Sequence, residues 1–190
     1  IYLIGTGMRI QFTGALTKND KLFNSILDGE HILNNKRGTF INLFACFDIY
    51  FLGGKNVRDL PFCSEQADAA KMGFRFPMMV EVVKNLKPEC VDPRLSSPMR
   101  ISSKKFYQGT EAQSIFVGCQ TILSTMRDGG FEYETDGLIF TPSNLGVGGT
   151  PDKKVGPLSK AAWDYSFKWK PPEFNTIDFL VTTKKSTGGD

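Results

Sequence analysis

Two lysines, Lys168 and Lys170, flank Trp169 in the segment Phe167-Lys168-Trp169-Lys170-Pro171-Pro172. On an extended strand residues i and i+2 face the same side, so both ammonium groups point one way and Trp169 the other. Such a pair is a compact cationic clamp suited to phosphate oxygens. The same pattern also serves as charge on an edge strand, and a lone K-x-K does not separate the two uses. Carboxylates could do the complementary work. Asp28-Gly29-Glu30 sets two of them around a glycine at the end of an apolar strand, where glycine allows a ligand to approach the backbone closely. Asp136-Gly137 repeats the arrangement ahead of Leu138-Ile139-Phe140, and Asp178 follows Lys170 by eight residues. Asp-Gly alone is more often a plain turn. Together with the lysines the acidic positions change meaning. Carboxylates can hold a divalent metal, and lysines the phosphates which that metal bridges. That is the equipment of phosphoryl or nucleotidyl transfer.

The elements that must position these residues can be read coarsely. Residues 1–4 and 8–13 form a hairpin about Gly5-Thr6-Gly7. Residues 39–52 are the longest apolar run and predict a buried strand that ends at Gly53-Gly54. Residues 64–86 read as helix with an interruption near Gly73 and Pro77, followed by a Pro-rich loop and a short strand over 100–107. Thr110 and Gln113 form a capping box for a helix over 110–127, whose stripe Ile115, Phe116, Cys119, Ile122, Leu123 and Met126 is assigned to the core. Strand character resumes at 131–140. Residues 141–162 form a long Gly/Pro/Lys-rich loop, either a flexible insertion or a ligand-gated element. Final strands are expected over 164–170 and 175–182, with a frayed tail at 184–190. Short strands with two helices predict an α+β fold built on antiparallel sheets.

Composition sets outer bounds. A chain of 190 residues suits one domain, or a large piece of one, and can bury roughly 70% of its unfolded surface. No apolar run approaches the roughly 20 residues that a membrane helix needs. The start, Ile1-Tyr2-Leu3-Ile4, lacks the basic n-region of a signal peptide and lacks Met, so the chain is expected to begin inside a longer protein. The net charge of +3 permits a nucleotide or nucleic-acid partner without demanding one. Cys46, Cys63, Cys90 and Cys119 show no C-x-x-C spacing, and the single His31 cannot complete a zinc set. Reduced, mostly buried thiols in a cytosol-like compartment follow.

The order of these motifs carries a resemblance. Asp28-Gly29-Glu30, then Phe47-Asp48-Ile49-Tyr50, then Thr135-Asp136-Gly137-Leu138-Ile139-Phe140, then Lys168-Trp169-Lys170-Pro171 with Thr176-Ile177-Asp178-Phe179, resembles the covalent nucleotidyltransferase superfamily. That superfamily holds mRNA capping enzymes and ATP-dependent DNA and RNA ligases. The K-W-K-P-P and N-T-I-D-F wording is similar to the mRNA guanylyltransferase branch, in the style of large cytoplasmic DNA viruses. The resemblance spans about residues 1–183. It implies a nucleotidyltransferase domain of the capping enzyme and ligase (ATP-grasp-like) type, with GTP as substrate and magnesium or manganese as the ion. Phe47 matches the aromatic that stacks on guanine, where an aromatic face is a broad platform. Glu30, Asp136 and Asp28 match acidic residues near ribose, phosphates and metal. Lys168 and Lys170 match the lysine pair on the phosphates, and Asp178 its acidic companion. Lys105 lies where the family has a base-contacting lysine, although Lys104 could equally be that residue.

The departures are equally specific. The family's nucleophile is the lysine of a K-x-D-G-x-R motif upstream of the first acidic motif, and none precedes Asp28. The ribose-contacting arginine of the early hairpin and the closing OB-fold domain are missing too. The resemblance thus implies a truncated guanylyltransferase domain that is inactive alone. Its parent chain would act on the 5′ end of RNA in the cytoplasm, in a viral factory or virion, and could carry triphosphatase or methyltransferase modules. Two other readings stay open: the adenylation domain of a polynucleotide ligase, and a non-catalytic nucleic-acid-binding relic of the fold.

Overall fold

The computed structural model describes residues 1–64, 73–92, 94, 99–157 and 163–182. Near the start, β1 (Tyr2–Ile4) and β2 (Ile10–Phe12) form the expected antiparallel hairpin, with Tyr2 opposite Phe12. Both faces of this ribbon are largely exposed. The short β3 (Ala15–Leu16) runs to the centre of the domain through β4 (Ile26–Asn34) and β5 (Phe40–Leu52). The apolar run at 39–52 is therefore one strand, and its Leu43, Ala45, Cys46 and Ile49 are buried. A tight turn at Gly53-Gly54 leads to β6 (Lys55–Asn56), which pairs back onto the end of β5.

The first helix, α1 (Arg75–Leu86), buries Arg75, Met78, Met79, Val82 and Leu86, a stripe at helical spacing. Pro77 falls in the first turn, where the missing N–H has no intrahelical partner to lose, so the helix begins there instead of breaking. Part of the predicted 64–86 helix, residues 65–72, lies outside the described residues, as does the tail at 184–190. Met78, Met79 and Val82 close with Cys46, Ile49 and Val57 into the central core, with Phe44 and Ile101 packed alongside. Then β7 (Glu89–Cys90) pairs with β3, and β8 (Arg100–Ser103) lies parallel to β5, with Leu43 opposite Arg100 and Cys46 opposite Ser103. The sheets are antiparallel as expected except for this one pairing.

The second helix, α2 (Ile115–Arg127), starts later than its predicted capping box. Ser114 is the cap, its hydroxyl accepting from the Phe116 N–H, while Thr110 and Gln113 close a separate turn just before it. The predicted core stripe is only partly enclosed: Ile115, Cys119, Ile122, Leu123 and Met126 are half-buried. Phe116 is 74% exposed, and Gly118, against the Tyr107 side chain, is the buried residue of the helix. Next, β9 (Leu138–Phe140) pairs antiparallel with β10 (Phe167–Trp169). Residues 131–137 are not strand. Residues 175–182 are not strand either: among the described residues they find no partner, and Ile177, Phe179, Leu180 and Val181 are exposed. Of the long loop, residues 141–157 are tied to the domain. Phe62 and Cys63 N–H groups donate to Ser143 O, and Val147 N–H donates to Arg58 O. Thr150 and Lys153 exchange backbone bonds of 2.8 and 3.1 Å at its tip. The described part is hydrogen-bonded to the domain along its length; residues 158–162 lie outside the described residues.

Candidate nucleotide-binding site

The β4–β5 ladder is irregular where it matters. Leu27 faces Ile49 and Asp28 faces Asp48, but Gly29 faces Cys46, so Phe47 is left over in a bulge. A bulge adds one unpaired residue and re-aims its side chain. Asp28-Gly29-Glu30 thus stands inside β4 and not at a strand end. A Cβ on Gly29 would stand 2.7 Å from the Phe44 ring, so the glycine makes room for a core aromatic instead of a ligand.

Glu30 reaches across to the segment after β8. Lys104 Nζ lies 2.8 Å from Glu30 Oε2, and the same ammonium sits 5.8 Å from the centroid of the half-buried Phe47 ring. Lys104 N–H also donates to Cys46 O, which fixes the segment against the bulge. Of the two lysines left open by the sequence, Lys104 therefore joins Glu30 and Phe47, while the adjoining Lys105 is exposed and forms no ion pair with a described residue.

A second constellation forms on the β9–β10 ladder. Trp169 faces Leu138 and Lys168 faces Ile139, so Lys170 comes level with Gly137. Lys170 Nζ lies 2.6 Å from Asp136 Oδ2. The hydrogen bond from Lys170 holds the Asp136 carboxyl below its ordinary value, and the Lys168 charge adds to it. Gly137 has φ +148°, and a Cβ there would overlap the Trp169 carbonyl oxygen. Only glycine lets the two strands close at this point. The expected lysine pair and acidic turn do meet. Asp178, expected beside them, is exposed in the irregular 175–182 segment and pairs with no described residue.

Asp28 is engaged differently. Its Oδ1 accepts from the Gly29 N–H and its Oδ2 from the Tyr50 hydroxyl. Burial raises its pKa above the ordinary carboxylate value despite those bonds, and burial likewise raises that of Tyr50. The Cys46 thiol is pushed up to about 12, again by burial. All four cysteines are free, but only Cys46 is buried, so the thiols are less enclosed than expected. Beside this cluster Asp48 takes a two-bond fork from Arg75, at 2.8 and 3.1 Å. Neither Asp48 nor Arg75 stood out in the sequence. Their signal was available: each is a lone charge inside an apolar stretch, and such charges are rarely buried unless paired.

The chain is 26% identical over 172 residues to the mRNA-capping enzyme of Danio rerio and 24% identical over 172 residues to that of Mus musculus, in each case over 88% of this chain. It is 21% identical, along its whole length, to a probable mRNA-capping enzyme of Acanthamoeba polyphaga mimivirus. The chain is similar to mRNA-capping enzymes. No protein-family model matches it. The chain spans about a quarter or less of the length of these curated relatives: 24% of the two vertebrate capping enzymes and 18% of the mimivirus one.

The resemblance to nucleotidyltransferases sets a test for a divalent ion. Among the described residues no three His, Cys, Asp or Glu side chains form a group that could hold one, so Asp28, Glu30 and Asp136 are not gathered as a triad. Asp28 spends both oxygens on the chain itself. Glu30 and Asp136 each give one oxygen to a lysine and keep the other free of described side-chain partners. Single hard carboxylate oxygens of this kind fit magnesium, which takes one or two carboxylates and fills its shell with phosphate and water. No helix among the described residues is long and apolar enough to cross a membrane.

Proposed function

We propose that this chain is the nucleotide-binding part of an mRNA guanylyltransferase domain. GTP is its substrate, and the 5′-diphosphate end of RNA is the final acceptor of GMP. The observation that carries the reading is the Asp136–Lys170 contact, with Lys168 on the same two-stranded ladder. It supplies a preset cationic clamp, and phosphoryl-type transfer depends mainly on positioning and charge neutralisation. The similarity to capping enzymes supports the choice of GTP over ATP.

In this reading the guanine stacks on Phe47, which the bulge turns out of the ladder. Lys104 and Lys105 lie toward the base, and Glu30 toward the ribose. Lys168 and Lys170 neutralise the triphosphate as charge builds on the leaving pyrophosphate. Asp136 keeps Lys170 aimed. Glu30 or Asp136 would offer one carboxylate oxygen to a magnesium ion, which when bound supplies charge neutralisation at the phosphates. A lysine amine attacks the α-phosphate, pyrophosphate leaves, and the lysine–GMP phosphoramidate then yields GMP to the RNA diphosphate. The sequence contains no K-x-D-G-x-R segment, so we assign that amine to residues outside this chain.

Thermal unfolding with GTP and with ATP, at matched magnesium, tests the proposal. GTP should raise the midpoint more than ATP does. Equal shifts would move the reading to the ligase branch, and no shift with GTP would overturn nucleotide binding altogether.

A further inference from the structure

Arg75 is fully buried at the start of α1, an unusual place for a guanidinium. Its Nε and Nη2 donate to the two oxygens of Asp48, and its Nη1 donates to the carbonyls of Leu60 and Leu145. Four of its five N–H donors are thereby used in fixed directions. Asp48 directly follows Phe47, and its Oδ1 also accepts from the Ile49 N–H at 2.8 Å. The guanidinium carbon stands 5.5 Å from the centroid of Phe62. The Phe62 ring meets Phe106 edge-on at 4.9 Å, and Phe106 meets Phe76 at 5.2 Å. Phe106 lies two residues after Lys104. One buried cation thus touches the bulge, the 141–157 loop and, through two rings, the lysine segment.

We infer that Arg75 is the positioning residue of the candidate site: through Asp48 it sets Phe47, through Phe62 and Phe106 it sets Lys104, and through Leu145 it fixes the 141–157 loop. The inference rests on the nucleotide-binding reading above. A buried ion pair is weak evidence for stability, since well-packed apolar replacements are often as stable. A planar fork that joins three segments is evidence for geometry, and lysine, a point charge, cannot copy it.

The test compares Arg75→Lys and the milder Asp48→Asn with Met79→Ala, a core substitution in α1 that leaves the fork intact. Amide hydrogen exchange of Ile49, Lys104 and Val147 is followed at conditions chosen to match global stability, together with GTP titration. In the Arg75 and Asp48 variants those amides should exchange on the order of tenfold faster than in Met79→Ala, and GTP affinity should fall on the order of tenfold, as expected when site groups shift by a fraction of an ångström. Met79→Ala should leave GTP affinity within about twofold, as for a substitution acting only on stability. Equal exchange and equal GTP affinity across the three variants would overturn the inference and leave Arg75 a core staple. If the unsubstituted chain binds no GTP, the nucleotide reading falls, while the exchange pattern still decides what Arg75 positions.

Discussion

Replacing Gly137 with alanine should uncouple the lysine pair from Asp136 without touching any charged group. The added Cβ would overlap the Trp169 carbonyl oxygen and would stand 3.0 Å from Lys170 Cα. To reach ordinary contact that oxygen must retreat by about 1 Å or more. Ladder bonds near 2.9 Å would stretch to about 3.9 Å, where they no longer count as hydrogen bonds. A side chain at φ +148° adds strain of about 1–3 kcal/mol. The ladder holds only three residue pairs, so it should open locally before the core responds. Lys170 then leaves Asp136. Carbon-detected NMR titration should show the Asp136 carboxyl returning from its lowered value toward about 3.9, its ordinary range. GTP affinity should fall by up to about a hundredfold, the scale of a 1 Å misplacement. Gly137→Ala that keeps a lowered Asp136 and parental GTP affinity would refute the clamp.

Phe47→Ala should weaken GTP binding by about 1–3 kcal/mol, the worth of one base on an aromatic face, or roughly 5- to 150-fold by calorimetry; unchanged affinity would remove Phe47 from the site. Tyr50→Phe should destabilise the chain by about 1.5–3 kcal/mol at pH 7 in urea unfolding, since it deletes a hydrogen bond to a carboxylate. The effect depends on pH with a definite sign. Asp28 has a raised folded-state pKa, so its contribution to stability is complete below about 3.9 and is lost as pH rises through the folded value. Removing Tyr50, whose bond lowers that value, raises it further, so the penalty should grow from pH 3 to pH 7; a flat difference would contradict the assigned network. Incubation of this chain with labelled GTP and magnesium should leave no covalent GMP on it, because the nucleophile motif is absent; a labelled band would place the nucleophile inside the chain.

What could be read from the sequence was what periodicity and motif order encode. The run at 39–52 is a single buried strand because every second or third residue meets α1 or β8. Glu30, Phe47, Asp136, Lys168 and Lys170 were legible as an ordered set. Strands were overcalled at 131–137 and 175–182 because strand propensity needs a partner strand, and neither segment joins a ladder among the described residues; 131–137 is held instead by single contacts such as Lys36 N–H to Glu132 O. The stripe of α2 looked like core, yet periodicity says which residues share a face and not what covers it. The bulge at Phe47 arises from a register shift between two strands, which one strand's sequence does not carry. That Lys104, and not Lys105, meets Glu30 and Phe47 follows from how the segment after β8 is laid beside β5, again a relation between distant segments.

That parallel register has a kinetic side. The β4–β5 hairpin is local and can zip as soon as Leu52 is made, and β6 then covers the end of its second edge, but the Leu43–Cys46 stretch of that edge stays bare until residue 100 arrives from beyond a whole helix. During synthesis an aromatic shelf would therefore exist before the cation that leans over it, and the terminal clamp would come last. An unpaired strand edge this apolar invites association with other chains. Slower translation between α1 and β8 should lengthen the interval in which newly made copies stick to each other.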